Sequence, residues 1–316
     1  MKSSIIQALP TAAIYLLVLG IAASGIGCNK DVRTFQDIHF TYTTDPNQER
    51  LDNQGNPAEV PAGHASQTPD MQIMSIHYIE TSADANTLFK EGALLFQAPE
   101  TEAGGEQAID FDQSIRTTPG EEFLQVNLER LPAGTYNYIR ASVAFQQYAV
   151  EYDLHNISGT GTLENQSGVI ASFVGYRTYI RDLLIQNLTT SINANKEQGF
   201  WGFETLFSDE LIDFNIIITG QAPAGATTVV NPLYATSPVP DGSCVVTGAF
   251  TEPLVITGEE TGELYITLSF STNASFEWID NDGDGKWDVD AMDPAQTEEV
   301  VDMGLRGMIA TWEWKE

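Results

Sequence analysis

Apolar and polar residues alternate along most of this chain with the period of two that is typical of β-strands. Residues 264–270 show the pattern most clearly, because Leu264, Ile266, Leu268 and Phe270 occupy every second position. The same period occurs in further segments: residues 38–42, 74–78, 124–128, 148–154, 169–173 and 214–218. Each run places its apolar side chains on one face of a strand, and only a facing sheet can cover so many such faces. The pattern predicts an all-β protein, folded as a large antiparallel β-sandwich.

Two long polar segments interrupt the strand pattern. Residues 44–70 combine prolines with many Asn, Gln and Asp residues, and residues 99–120 are polar as well. A loop this long is usually functional or lacks a fixed structure. Because the alternation resumes with the same character after each segment, we expect one sandwich domain over residues 34–316, with a seam near residues 158–168 as the alternative. No helical stripe is sustained, and residues 181–188 are the best short helix candidate.

The first residues have the pattern of a secretion signal. Lys2 precedes an apolar run from Ile14 to Ala23, and small residues then lead to Cys28. A run this short is typical of a signal peptide, because a membrane-spanning helix needs about 20 apolar residues. The small residues before Cys28 resemble the lipobox of bacterial lipoproteins, although Gly25 stands where that family usually has leucine. The resemblance implies that residues 1–27 are removed and that Cys28 is lipidated; the alternative is an ordinary cleaved signal with an incidental cysteine.

The residues after Cys28 bear on localisation. Asn29-Lys30-Asp31 resembles the surface-export signal of Bacteroidota-type lipoproteins, a lysine followed by acidic residues, although Val32 interrupts the acidic pair. The resemblance implies an outer-membrane lipoprotein exposed at the cell surface, with the periplasmic face as the alternative. Residues 28–33 would form the lipidated tether. Two or more acyl chains hold a folded body stably at a membrane without a spanning helix.

The charge of the chain restricts its partners. Asp and Glu number 44 against 14 Lys and Arg, which gives a net charge of −30. Removal of residues 1–27 leaves 289 residues and a net charge of −31, because Lys2 is the charged residue in that segment. Such a charge repels phosphate groups, so nucleic acid is excluded as a partner. Cys244 then remains without a second cysteine for an intramolecular disulfide, and we expect it to be a buried, small apolar residue.

An acidic stretch near the C-terminus has the spacing of a calcium-binding loop. Asp280, Asp282 and Asp284 fall at its positions 1, 3 and 5, where alternate residues of a curled loop point inward at a hard cation. Gly285 permits the sharp turn, and further oxygens are expected from the carbonyl of Lys286 and from the carboxylates of Asp288 and Asp290. The stretch resembles the D-x-D-x-D-G loops of EF-hands, dockerins and thrombospondin type 3 repeats.

The resemblance implies bound calcium, with a dissociation constant of about 10⁻⁴–10⁻³ M as in extracellular modules. Two departures oppose a calcium sensor. Position 12, where an EF-hand has a bidentate glutamate, is Ala291, and residues 274–279 before the loop alternate like a strand rather than a helix. We therefore expect a loop that calcium stabilises within a β protein. The alternative is a solvated acidic turn that holds no ion.

The remaining candidates for chemistry are histidines and aromatic residues. His39 and His77 lie on predicted strands, where we expect solvent-facing side chains, and an assembly of histidines across strands into a transition-metal site is the alternative. The strand at 38–42, the polar loop, the strand at 76–79 and the turn at 131–136 resemble the layout of MbnP-type β-sandwich lipoproteins, which implies copper handling. No ligand residue can be carried over from that family.

Aromatic residues concentrate in Phe200-Trp-Gly-Phe203 and in the pair Trp312 and Trp314. They are expected in the core, although such side chains can also form a platform for a sugar ring. The sequence contains no catalytic motif such as G-x-S-x-G or H-E-x-x-H, so we do not expect an enzyme. The sequence therefore predicts an envelope-anchored, calcium-binding lipoprotein that binds a ligand, a glycan or a partner protein.

Overall fold

Long β-strands supply nearly all of the regular structure in this chain. The computed structural model describes residues 36–51, 57–85, 87–88, 90–157, 161–208, 213–223, 245–290 and 292–316. Within these ranges there is no α-helix, and helical turns are limited to three 3-10 turns at Phe111–Gln113, Leu128–Arg130 and Pro294–Gln296. The predicted all-β, sandwich-like fold is confirmed.

The strands vary greatly in length. The first nine are β1 Asp37–Asp45, β2 His64–Gln67, β3 Asp70–Ser82, β4 Ala93–Gln97, β5 Glu100–Thr101, β6 Ala108–Asp110, β7 Glu122–Asn127, β8 Gly134–Ile157 and β9 Gly161–Phe173. The next ten are β10 Arg177–Leu184, β11 Thr189–Glu197, β12 Phe200–Ser208, β13 Asp213–Gln221, β14 Val245–Ile256, β15 Glu263–Ser271, β16 Phe276–Ile279, β17 Asp288–Asp290, β18 Val300–Met303 and β19 Met308–Lys315.

One large sheet contains most of these strands. Its main order is β13-β12-β9-β8-β14-β19-β15-β1-β7, and β3, β4 and β17 attach to it through β3 and β8. The sheets are mixed rather than purely antiparallel, because β1 runs parallel to β15, β14 to β19, β17 to β8, and β6 to β10. Two smaller sheets have the orders β11-β10-β6-β5 and β18-β16-β2.

The alternating residues form the core as their spacing predicts. Leu264, Ile266, Leu268 and Phe270 on β15 are each at most 1% exposed. Their partners on β1 include Ile38, which pairs with Leu264 and is also fully buried. All of these side chains belong to one apolar cluster that also contains Trp278 and Trp287. A second cluster forms around the ring contacts of Phe111, Phe145 and Phe173.

The short helix candidate at residues 181–188 is not a helix, since residues 181–184 belong to β10. Ile180 and Leu183 are both fully buried, which gives the spacing of three that resembles a helical face. The spacing arises from a register shift between Ile180 and Asp182 in the pairing of β10 with β11. Such a bulge inserts one residue and locally breaks the period of two.

The polar segment 44–70 is tied to the body of the protein where the structure describes it. Arg50 is only 8% exposed, and its guanidinium donates to the carbonyl oxygens of Glu59 and Ala274 at 3.0 and 3.3 Å. β2 lies within the same segment and pairs with β16. The segment is therefore held by specific polar contacts, although it contains few apolar residues.

A buried ionic network fastens this segment to the C-terminal strands. The Glu277 carboxylate is paired with Arg50, lies 3.4 Å from the Arg306 guanidinium, and contacts His64 Nδ1 at 2.6 Å. Arg306 is also paired with Asp302, whose pKa burial raises to about 6. Buried charges of this kind are costly unless paired, so removing one partner leaves the others uncompensated.

We predict that Glu277→Gln lowers the free energy of unfolding by about 3–5 kcal/mol, because Arg50 loses its buried counter-charge. Urea denaturation measures the change. Glu313→Gln is the matched control, since Glu313 pairs with Lys315 on the surface, and it is expected to leave the unfolding free energy unchanged within error. Equal stability of Glu277→Gln and the unaltered protein would show that Arg50 does not depend on Glu277 for its counter-charge.

Candidate metal centre

The acidic loop connects two short strands whose positions are fixed by pairing. It begins after β16, which pairs with β2 and β18, and it ends at β17, which pairs with β8. The expectation that a strand precedes the loop is confirmed. Gly283 and Gly285 have φ angles of +82° and +79°, a conformation that glycine adopts without strain. The chain can therefore reverse direction within a few residues.

Three of the predicted ligands converge at the beginning of the loop. Oxygen atoms of Asp280, Asp282 and Asp284 lie within 4.8 Å of one another. Asp280 accepts hydrogen bonds from the backbone N–H groups of Gly283 at 2.7 Å and Gly285 at 3.2 Å. Asp282 and Asp284 each use Oδ1 to accept an N–H two residues onward, at 3.1 and 2.8 Å. These bonds orient the carboxylates and leave the second oxygens of Asp282 and Asp284 facing no hydrogen-bond donor within the described residues.

Asp288 and a distant glutamate extend the group of carboxylates. Oxygens of Asp282, Asp288 and Glu298 also lie within 4.8 Å of one another, as do those of Asp153, Asp284 and Asp288. Glu298 is only 3% exposed and is oriented by the N–H groups of Asn281, at 2.7 Å, and Asp288, at 3.1 Å. The loop spacing gives no sign of Glu298, because a 3-10 turn separates it from β17.

The other two predicted ligands make further contacts. The carbonyl oxygen of Lys286 accepts the indole N–H of Trp278 at 2.9 Å, and the Lys286 ammonium group pairs with Asp153 at 3.0 Å. Asp290 lies outside the three groups of carboxylates. Its Oδ1 accepts the N–H groups of Met292 and Asp293, both at 2.8 Å, and thereby orders the next turn.

The electrostatics of the group favour a cation. Burial raises the pKa of Asp288, and the carboxylates of Asp284 and Asp282 raise it further, against the lowering effect of His155. Burial likewise raises the pKa of Glu298, with Asp288 and Asp280 adding to the effect. Like charges held close together disfavour their own ionisation. A divalent cation between them would remove this repulsion, and carboxylate oxygens are the ligands that calcium prefers.

Two buried tryptophans tie the loop to the core. Trp278 and Trp287 are each 1% exposed, and the Trp287 indole N–H donates to the carbonyl of Glu298 at 3.1 Å. The Trp287 ring meets Phe276 and Phe203 edge-on, both with centroids 5.1 Å apart. Aromatic pairs in this arrangement are favourable beyond the area that they bury. The loop is thus attached at both ends to rigid structure, which is what a stabilising cation site requires.

Two of the four histidines do not lie where the sequence suggests. The expected solvent-facing positions of His39 and His77 are wrong, because the residues are only 9% and 6% exposed. Charged neighbours explain the burial: His39 Nδ1 lies 2.9 Å from Glu122, and His77 Nε2 lies 2.9 Å from Glu100. His155 Nε2 similarly contacts Asp288 at 2.8 Å. Within the described residues, no group of three metal-ligating side chains contains a histidine.

The concentrated aromatic residues divide between the core and its margin. Phe200 and Phe203 are at most 5% exposed and belong to the two apolar clusters. Trp201, Trp312 and Trp314 are partly buried and pack against the first cluster. Core packing accounts for most of these rings, while part of each of the three indoles remains accessible.

The predicted lipid anchor falls in a part of the chain outside the described residues. Cys28 lies in that N-terminal part. Cys244, which we expect to be buried, also lies outside the described residues, in a different segment. Over the ranges that the structure does describe, no helix is both long enough and apolar enough to cross a membrane.

We predict that Asp284→Asn and Glu298→Gln each weaken calcium binding by roughly ten-fold or more, since each removes a charge from the converging carboxylates. Isothermal titration calorimetry measures the affinity. Asp290→Asn is the control and is expected to bind calcium like the unaltered protein, because its carboxylate lies outside the group. Equal weakening by Asp290→Asn and Asp284→Asn would instead restore the ligand set that the loop spacing suggests.

Comparisons with known proteins do not assign a family to this chain. No protein-family model matches it, and no match was found among curated proteins or among solved structures. Its function is therefore inferred from its own residues.

Proposed function

We propose that this protein is a calcium-binding lipoprotein of the cell envelope that acts as a binding or adhesion module. The observation that carries the proposal is that carboxylate oxygens of Asp280, Asp282 and Asp284 lie within 4.8 Å of one another, as do those of Asp282, Asp288 and Glu298. Carboxylates in such number supply the oxygens that calcium requires. The calcium is structural and holds the loop and the turn after it in one conformation.

A stabilising role fits the surroundings of the loop better than a sensing role. Calcium sensors open a pair of helices and expose an apolar groove between them. Here the loop is flanked by β16 and β17, which are both hydrogen-bonded into sheets. Its position is further fixed by Trp278 and Trp287 in the core. Calcium would therefore rigidify a surface rather than switch a fold.

The cellular setting follows from the N-terminal sequence. The apolar run and Cys28 support export and lipidation, and Asn29-Lys30-Asp31 supports display at the outer surface. Eight residues separate Cys28 from the β-rich body, which begins with β1 at Asp37. Its strong negative charge favours lipid attachment over direct contact with anionic headgroups.

The partner would be a ligand, glycan or protein outside the cell, and nucleic acid is excluded by charge. Copper handling, which the MbnP-like layout implies, requires ligands that converge on one ion. The described histidines instead contact separate carboxylates, as shown by His39 with Glu122 and His77 with Glu100. Calcium binding is accordingly the proposal that the geometry supports best.

We predict that 10 mM calcium stabilises the protein by about 1.4–2.7 kcal/mol over a calcium-free sample, given a dissociation constant of about 10⁻³–10⁻⁴ M. Differential scanning calorimetry should show a melting temperature higher by a few degrees. Asp284→Asn should lose this response, and magnesium should produce less of it because its smaller ion demands stricter geometry. A melting temperature that is the same in calcium and in chelator would refute the structural role.

We predict that Cys28→Ser moves the protein from the membrane fraction to the soluble fraction, since it removes the thiol that carries the acyl chains. Fractionation with metabolic labelling by an alkyne fatty acid measures both properties. Protease treatment of intact cells then distinguishes the two membrane faces, because only surface-displayed protein is cleaved. Label that persists in Cys28→Ser would show that the chain is acylated elsewhere.

A further inference from the structure

A cleft of about 220 Å³ lies beside the acidic loop. One wall is formed by Trp201 on β12 and by residues 218–221 on β13. The opposite wall is Pro294 and residues 297–300, which follow the loop in sequence. The cleft is smaller than the roughly 300–1,000 Å³ of a site for a drug-sized molecule. It suits a group about as large as one sugar ring.

The indole of Trp201 is held flat against its own sheet. Trp201 pairs directly with Gly220 on the neighbouring strand. A Cβ atom at position 220 would lie 3.0 Å or less from three atoms of the six-membered indole ring. Only glycine therefore lets the ring lie across the strand. One face of the indole is covered by Gly220, and the partly exposed remainder contributes an aromatic surface to the cleft.

Polar groups surround this aromatic surface. Gln221, Thr219 and Glu299 are exposed at the cleft, and the Glu299 carboxylate makes no hydrogen bond within the described residues. Thr297 and Glu298 are instead occupied, because they accept the N–H groups of Asp290 and Asp288. Gln221 Nε2 already donates to the carbonyl of Gln198 at 2.7 Å, whereas its Oε1 makes no hydrogen bond within the described residues. The Gln221 Oε1, the Thr219 hydroxyl and the Glu299 carboxylate can therefore pair with hydroxyl groups at the margin of a ligand, while Thr297 and Glu298 fix the wall.

This combination matches a neutral sugar. A pyranose ring has an apolar C–H face, which packs on an indole, and a margin of hydroxyl groups, which pair with amides and carboxylates. The net charge of −30 disfavours anionic ligands. A ligand cation would be held best within several aromatic faces, whereas Trp201 is the aromatic side chain in this lining.

The cleft is also connected to the acidic loop. Glu298 belongs to the group of carboxylates with Asp282 and Asp288, and the same residue forms part of the cleft wall. A cation that fixes Glu298 would fix the wall that contains it. Resting on the calcium-binding function proposed above, we infer that this cleft binds one ring of a neutral polysaccharide against Trp201 and that calcium strengthens the binding by ordering the wall.

Affinity electrophoresis of the full chain tests the inference. Native gels contain amylopectin, dextran, galactomannan, xylan or mixed-linkage β-glucan, with alginate as an anionic comparison, in calcium or in chelator. At least one neutral polysaccharide is expected to retard the protein, and alginate is not. Trp201→Ala and Gly220→Ala should each weaken the retardation roughly ten-fold or more, because stacking on the indole is lost or displaced.

Trp314→Ala is the matched control, because Trp314 is partly buried on β19 and does not line the cleft. It should bind like the unaltered protein. Glu299→Gln and Gln221→Ala, both at exposed positions, should weaken retardation several-fold, and they keep the test valid if the Trp201 variant does not fold. Failure of every neutral polysaccharide to retard the protein, or full retardation of Trp201→Ala, would overturn the inference.

The same gels separate this inference from the proposed function. Retardation that depends on Trp201 but is equal in calcium and chelator would support the sugar site and contradict its coupling to calcium. Calcium binding measured by calorimetry without retardation by any neutral polysaccharide would support the proposed function and overturn the sugar site. Retardation of the protein by alginate that Trp201→Ala abolishes would contradict a neutral ligand.

Discussion

The pairing of β8 with its neighbours is the constraint on which the rest of the structure depends. This strand pairs with β3, β9 and β14 along its length and with β17 near its C-terminal end. The pairing with β17 sets Asp288 beside Asp153 and Asp290 beside His155. The acidic loop is therefore positioned by backbone hydrogen bonds of the main sheet. Gly283 and Gly285 then only have to reverse the chain between β16 and β17, whose positions are fixed by the sheets.

Charges buried away from the acidic loop serve a different purpose. Glu80 and Arg140 are at most 1% exposed, pair at 2.8 Å, and lie directly opposite each other on the antiparallel neighbours β3 and β8. Like the network around Glu277, this pair lies where a polar loop joins a β-strand. Such pairs contribute little net stability, yet an alternative packing that separated them would leave a buried charge without a partner. They favour one arrangement of long loops that contain few apolar residues.

The sequence predicts what depends on local spacing. The period of two identified strands such as β15, and the positions of Asp280, Asp282 and Asp284 identified the loop, because neighbouring residues determine both. Features that depend on contacts between distant segments were not predictable: Glu298 joins the carboxylates only through the fold, and His39 is buried because Glu122 lies on the next strand. The parallel strand pairs were not predictable either, because a strand has the same alternation of apolar and polar residues whether its neighbour runs parallel or antiparallel to it. The bulge in β10 gave buried residues a spacing of three, which resembles the spacing on one face of a helix.

The position of β1 has a consequence for how the chain is made. This strand lies between β7 and β15, and its register joins Ile38 to Leu264. The N-terminal strand cannot complete its pairing until nearly the whole polypeptide is present. Contacts between residues so distant in sequence slow folding, because a long loop must close before they form. A chain with this topology therefore completes its main core only after β15 and β19, near the C-terminal end of the sequence, have been synthesised.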